Sequence, residues 1–472
     1  PPWPQGGFPG LAIHPEFNPG KPYVYISYVY RYDGSAGTNA GHKFTSAIVR
    51  FTYNTGTNRL TSPVYLCDTI PGSGDHNSQR LIIAPVNGTN YLFMAVGDMV
   101  AGQLSSYMRN IHAQDSAYYE GKILRFNLEA DGDAGSYDKW IPNDNPYNHT
   151  KQSAIWAIGM RNNQGFAYNP STGVLYGSSH GAYSDDEINI IERYKNYGHP
   201  LIQGYASDGN YNGTTNQPSS TSITAGETYA TNNGISSIDP IGNEASNAAT
   251  INASGFAPYK DPLFSAYPSG GAGYPAATRT VSAIWGASPK PGNAAWPSEG
   301  WSGLDVYSNS LIPGWKNSLL AAGMKWGRVL RLKLDATGKS VVQTNGADTI
   351  AYWQGPNGYR DIALAPNGKD IFVSIDRTGA SGPAGVAPPA SVTACDKCII
   401  KYTFLGYADA GGKSTIPTSI DVTLGANNTC NPGTTITIDD SNNNLWVPIT
   451  GEDGNILAEI KANGNNLGTV TS

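Results

Sequence analysis

The chain has 472 residues, 39% of them hydrophobic and only 14% charged, with 56 Gly, 32 Pro and 29 Tyr. Gly and Pro interrupt helices while Tyr, Val, Ile and Thr suit half-buried strands, so the composition points to a large, loop-rich β protein. The net charge of −6 supplies no basic stripe for phosphates and argues against a nucleic-acid partner. No apolar run is long enough to span a bilayer. No charged-then-apolar signal opens the sequence, which is neutral because such a segment is removable.

Taken in order, two units recur. The first is an apolar strand, a Pro-containing turn and a second apolar strand: GLAIHPEFNPGKPYVYISY from Gly10, RLIIAPVNGTNYLFMAVGD from Arg80, GFAYNPSTGVLYGSSHG from Gly165 and DIALAPNGKDIFVSIDR from Asp361. The second follows some tens of residues later: IVRFTY at Ile48, ILRFNL at Ile123, VLRLKL at Val329 and IIKYTF at Ile399. Each alternates with period two, and the Arg or Lys of the second unit faces away from its apolar neighbours. The first unit reads as a hairpin and the second as an outer strand. DVYSNSLIPGWKNSLLAAGMKWGRVLRLKL from Asp305 adds another hairpin and outer strand, and INII at Ile188 serves the Gly165 copy.

Small antiparallel sheets of this kind are stable when packed radially, and the expected fold is an all-β β-propeller over residues 1–405. Five hairpin and outer-strand pairs are legible; if the propeller is six-bladed, the N-terminal blade is expected to be incomplete. Beyond the Gly/Ala/Ser linker GYADAGGKST, the strands IDVTLG, TITID, NLWVPIT and NILAEIKANG suggest a partial β-sandwich in residues 406–472. Of the four cysteines, Cys395 and Cys398 form a CDKC pair with neither the following His of haem attachment nor a second CxxC for zinc. A local disulfide or two inert thiols is the reading they support.

Loops entering and leaving propeller hairpins open at one mouth of the channel. His76, in GSGDHNSQRL, is placed there as a general base, with Asp98 in VGDMVAGQ near enough to fix its tautomer. The plainer reading of His76 is a structural loop histidine. Arg161 and Asn162 enter the next blade, and Lys325 and Arg360 hold equivalent places in two more. Cations from three blades converging on one mouth suit an anionic ligand, and Arg161 suits a developing oxyanion. GAYSDDEIN brings Asp185, Asp186 and Glu187 beside backbone carbonyls, a hard-oxygen set suited to calcium or else a solvated acidic turn.

In order, GLAIHPEF, DHNSQRL, GKILRFNL, GMRNNQGFAY, SDDEINIIERYKNYG and YRDIALAPNG resemble the soluble pyrroloquinoline quinone (PQQ) dependent glucose/sorbosone dehydrogenases, six-bladed propellers that include the aldose sugar dehydrogenases. The resemblance runs from about Gln5 to Phe404. It implies that His76 is the catalytic base and Asp98 its supporting carboxylate. It further implies cofactor contacts from Gln5, Arg161, Asn162, Lys325 and Arg360, a substrate contact from Gln103, and a calcium held by the carbonyls of Gly181 and Ala182. Glu187, Tyr197, Gln203 and Tyr205 match a second, structural calcium site. Two departures stand out: Gly358 occupies a position where relatives often carry a second cofactor arginine, and Ala182 replaces a proline.

The expected function is therefore calcium- and PQQ-dependent oxidation of an aldose or related alcohol, with electrons passed to an external acceptor, in the periplasm, outside the cell or on its surface. The main alternative is an inactive propeller acting as a scaffold of a larger surface complex through its C-terminal segment. A lactonase-type calcium propeller is a third reading, against which GMRNNQGFAY argues.

Overall fold

The computed structural model describes residues 7–406 apart from 18–19, 32–43, 102–110, 134–137, 149–150, 183, 213–242, 269–296, 345–346, 381–389 and 391–394, together with the backbone of 456–462 and 465–471. Four antiparallel four-stranded sheets follow one another: β1 (Gly7–Ile13), β2 (Tyr23–Arg31), β3 (Phe44–Asn54) and β4 (Arg59–Pro71); β5 (Ser78–Val86), β6 (Thr89–Val96), β7 (Lys122–Asn127) and β8 (Ile155–Ile158); β9 (Asn163–Asn169), β10 (Val174–Ser179), β11 (Glu187–Ile190) and β12 (Phe264–Ser265); and β13 (Trp301–Tyr307), β14 (Ser318–Gly323), β15 (Arg328–Lys333) and β16 (Ile350–Tyr352). A fifth sheet has three strands, β17 (Asn357–Leu364), β18 (Asp370–Gly379) and β19 (Ile399–Thr403). The first strands pack in succession, β1 on β5, β5 on β9, β9 on β13 and β13 on β17, as the inner strands of a propeller must.

The apolar runs in the second, third and fourth sheets lack hydrophobic/polar alternation because those sheets are buried on both faces. In β6, Leu92 and Met94 enter a core shared with the first sheet, while Phe93 and Ala95 enter one shared with the third. Tyr176 and Ile188 meet Leu304 and Leu330 between the third and fourth sheets, and Leu320 and Val329 meet Ile362 and Val373 between the fourth and fifth.

Three expectations change. The described residues contain five propeller sheets where six blades were expected, and β1 shows Phe8 (78% exposed), Leu11 (58%) and Ile13 (53%) to solvent. Four of the expected outer strands, β3, β7, β11 and β15, are third strands with a fourth outside them, and β7 is buried because both its edges are paired; β19 is the outermost strand of its described sheet. Their arginines do lie on the face opposite their apolar neighbours, and that face is a second core in which they stack on aromatic rings: Leu124 and Phe126 enter one core while Arg125 lies over Tyr91 and Trp156 in the next, Leu330 and Leu332 enter one while Arg331 lies over Trp315 in another, and Arg50 lies over Tyr23. The expected C-terminal sandwich is not confirmed. Within residues 406–472 the described strands form only a two-stranded hairpin, β20 (Ile456–Ala462) with β21 (Asn465–Thr471). Cys395 and Cys398 form a disulfide. Among the described residues, no helix is long and apolar enough to cross a membrane.

An ion pair crosses between non-neighbouring inner strands. Arg80 of β5 donates through both terminal nitrogens to Asp361 of β17 at 2.8 and 2.5 Å, while its Nε donates to the Gln164 carbonyl of β9 at 3.0 Å.

Candidate active site

His76 and Asp98 reach each other because β5 begins, and β6 ends, at the same end of the second sheet. Gly97 makes the approach possible: a Cβ there would lie 1.8 Å from the His76 carbonyl oxygen, so no other residue fits without moving the loop. The backbone on both sides is strained, with φ of 49° at His76 and 58° at the β-branched Val100, as is common where a loop is held for function. His76 Nδ1 lies 2.7 Å from Asp98 Oδ1, with His76 8% and Asp98 1% exposed. Burial by itself would raise the Asp98 carboxyl. The His76 charge and the contacts from His199 and His76 outweigh it and hold Asp98 well below the ordinary carboxylate range.

The adjoining loop of the third blade is tied to this pair. The Asp98 amide donates to the Arg161 carbonyl at 2.8 Å, Ser78 Oγ donates to Asn162 Oδ1 at 3.0 Å, and the Asn162 amide donates to Ser179 Oγ at 3.2 Å. Asn162 Nδ2 is buried without a protein acceptor. Arg161 behaves differently from expectation: its guanidinium donates to the carbonyls of His180 and Gly181 at 3.2 and 2.8 Å, so the oxygen expected to hold calcium already accepts from a cation.

Lys325 lies in the loop between β14 and β15, not in one entering an inner strand. Both kinds of loop open at the same end, and Lys325 is within electrostatic range of Asp186 and Glu299. Burial lowers its ammonium to about 8. Arg360 is paired with Asp376, whose Oδ2 lies 2.5 Å from its Nε. A Cβ at Gly358 would stand 2.7 Å from the Met324 carbonyl oxygen, which explains why this chain carries no side chain there.

Two histidines escaped sequence reasoning. His180, immediately before Gly181, is pushed down to about 4 by burial, against the opposing pull of Asp186, and Arg161, Arg360 and His76 press it lower. Its Nε2 is buried without a protein partner. Its place next to the carbonyl pair was the available signal. His199 Nε2 stands 3.0 Å from Asp98 Oδ2, an oblique polar contact. No motif marked it.

The acidic loop is satisfied by the protein itself. Asp186 accepts from the Gly181 amide through Oδ1 and from Ser298 Oγ and the Glu299 and Gly300 amides through Oδ2. Asp185 accepts from Ser265 Oγ and Asn210 Nδ2, and burial holds its carboxyl well above the usual range. Glu187 accepts from the Gly204 amide and Asn189 Nδ2 and is raised by burial to about 7. Glu244, also missed, opens the helix Glu244–Ser254 and accepts from the amides of Gln203 and Tyr211; burial raises it to about 8.

Of the remaining residues expected at the second calcium site, Gln203 directs its side chain to His199, and Tyr197 donates its hydroxyl to the Ile190 carbonyl. Tyr205 accepts from the Ser265 amide at the edge of a separate cavity of ≈ 330 Å³. Ala182 lies beside Gly181 in the loop. Gln5 and Gln103 fall outside the described residues.

Comparison with known proteins adds to this geometry. The model of the Glucose / Sorbosone dehydrogenase family matches residues 3–265. Quinoprotein glucose dehydrogenase B of Acinetobacter calcoaceticus is 30% identical over 394 residues, covering 79% of this chain and 74% of that protein. The soluble aldose sugar dehydrogenase of Escherichia coli, solved in its apo-form, shares the fold with a TM-score of 0.51 at 21% identity, over 80% of this chain and 81% of that one. A crystal structure of a glucose dehydrogenase gives 0.52 at 22%, over 80% and 82%. The family match spans more than half the chain and runs through the loops that carry His76, Asp98 and Arg161, and the chain belongs to the glucose/sorbosone dehydrogenase family.

Proposed function

We propose that this protein is a quinoprotein sugar dehydrogenase, oxidising an aldose or related alcohol with PQQ and calcium at the channel mouth and His76 as base. The buried His76–Asp98 pair carries this reading: an imidazole 2.7 Å from an ionised carboxylate, beside a cluster of cations. The residues present fit an anionic cofactor. Asn162 Nδ2 and His180 Nε2 are buried polar atoms without protein partners, and Arg161, Arg360 and Lys325 surround the same loops.

When bound, PQQ supplies the carbonyl that accepts hydride, and calcium polarises it. His76 takes the proton of the substrate hydroxyl on Nε2, because Nδ1 is committed to Asp98. Asp98 fixes the tautomer and stabilises the imidazolium that results. Arg161, Lys325 and Arg360 hold negative charge, Arg360 with less to offer because Asp376 pairs with it. The carbonyls of Gly181 and Ala182 would hold calcium, which competes with Arg161 for the Gly181 oxygen. The Cys395–Cys398 disulfide supports an exported, oxidising location; the electrons would pass from there to an external acceptor.

The test is to add PQQ and calcium to the purified protein and follow dye reduction with aldoses. Activity is expected, and His76→Ala should lower turnover roughly a hundredfold or more. No bound quinone, and no activity on any aldose or simple alcohol, would overturn the reading. Because Lys325 loses its charge as pH rises through about 8, PQQ affinity should weaken from neutral to alkaline pH, and Lys325→Met should flatten that dependence in a fluorescence titration.

A further inference from the structure

Asp98 has a histidine on each oxygen. His76 Nδ1 is 2.7 Å from Oδ1, which also accepts from the Val100 amide at 3.0 Å, and His199 Nε2 is 3.0 Å from Oδ2. His199 is held from several sides. Its Nδ1 faces Gln203 Nε2 at 3.1 Å, its amide donates to the Gly159 carbonyl at 3.0 Å, and its carbonyl accepts from Gln114 Nε2 at 2.8 Å. An amide N–H donating to Nδ1 leaves the ring proton on Nε2, the nitrogen beside the carboxylate. The His199 side chain is 3% exposed, so water does not readily replace it.

We propose that His199 is a positioning residue for the base: by occupying Oδ2 it keeps Asp98 ionised and turned with Oδ1 on His76, which keeps the His76 proton on Nδ1 and leaves Nε2 to accept a proton. The inference rests on the reading of His76 as base. Removing His199 takes the imidazole away from Oδ2 in a buried site, a loss that Asp98 answers by taking a proton or by rotating. Either response loosens its hold on His76.

The experiment uses the cofactor-free protein labelled with ¹⁵N-histidine. The His76 Nδ1–H resonance, identified by its loss in His76→Ala, is expected downfield and slow to exchange with water. In His199→Phe it should move upfield and exchange about tenfold faster or more, as expected for a weakened buried hydrogen bond. His199→Gln, with an amide donor in place of the ring N–H, should restore it in part. In protein loaded with PQQ and calcium, His199→Phe should lower kcat about tenfold with KM nearly unchanged, the pattern of a lost transition-state contribution.

A His76 resonance and exchange rate unchanged in folded His199→Phe would overturn the proposal. Should that variant fail to fold, Gln203→Leu, which removes the donor on Nδ1 and keeps the ring, carries the same test: a shifted resonance supports the chain of contacts and an unchanged one overturns it. Because the resonance is read without cofactor, a protein with no dehydrogenase activity counts against the proposed function and not against this contact.

Discussion

A buried carboxylate is tolerated when both oxygens are satisfied, and the mouth shows two ways of doing so. Asp98 stands between imidazoles, whereas Asp186 is enclosed by three backbone amides and a hydroxyl and serves to pin residues 298–300 against the Gly181 loop. Asp305 is a third case: burial raises it from 3.8 to about 6, although it accepts from the Val306 and Leu364 amides. Its folded pKa lies above its unfolded value, so its contribution to stability is complete below about pH 4 and is lost as pH rises through about 6. A shift of this size corresponds to about 3 kcal/mol at most. Thermal melts of Asp305→Asn should therefore show a shallower fall in stability from acid to neutral pH than the unaltered protein. At this scale the sequence disclosed His76, Asp98 and Arg161 because each sits in a recurring hairpin context. His199 and Glu244 were hidden because they arrive through a long excursion between β11 and β12, where no repeat fixes what they face.

The third strands explain a feature that the sequence displayed without its reason. Arg125 is fully buried, donates to Asn145 Oδ1 at 2.7 Å, pairs with Asp144, and stacks on Tyr91 and Trp156; Arg331 packs the same way on Trp315. The long apolar stem crosses the blade while the planar head finds rings and carbonyls at its edge. Arg125→Met should cost about 3 kcal/mol in denaturant unfolding, since it abandons buried acceptors as well as the ring contacts. Lys401, its counterpart in β19, is exposed, and Lys401→Met should change stability by less than about 0.5 kcal/mol. Hairpins and third strands were legible because they are long and repeat. The outermost strands β8, β12 and β16 run four, two and three residues, too short for periodicity to mark them.

The five described sheets are joined by four interblade cores and by the Arg80–Asp361 pair, which links β5 to β17 without passing through the sheets between. This pair is partly exposed and bidentate, and Asp361→Asn should lower stability by about 1–2 kcal/mol, less at high salt, as read by urea unfolding at two ionic strengths. The repeats made the radial plan and its five copies readable, while the expectation of six came from resemblance.

The arginine stacks also place chromophores usefully. Trp140, Trp156 and Trp315 each lie near a guanidinium, and they belong to three different interblade cores. Proteins keeping one of these indoles at a time would emit from separate seams of the ring, so fluorescence during denaturation would tell a propeller that parts at one seam from one that melts all at once.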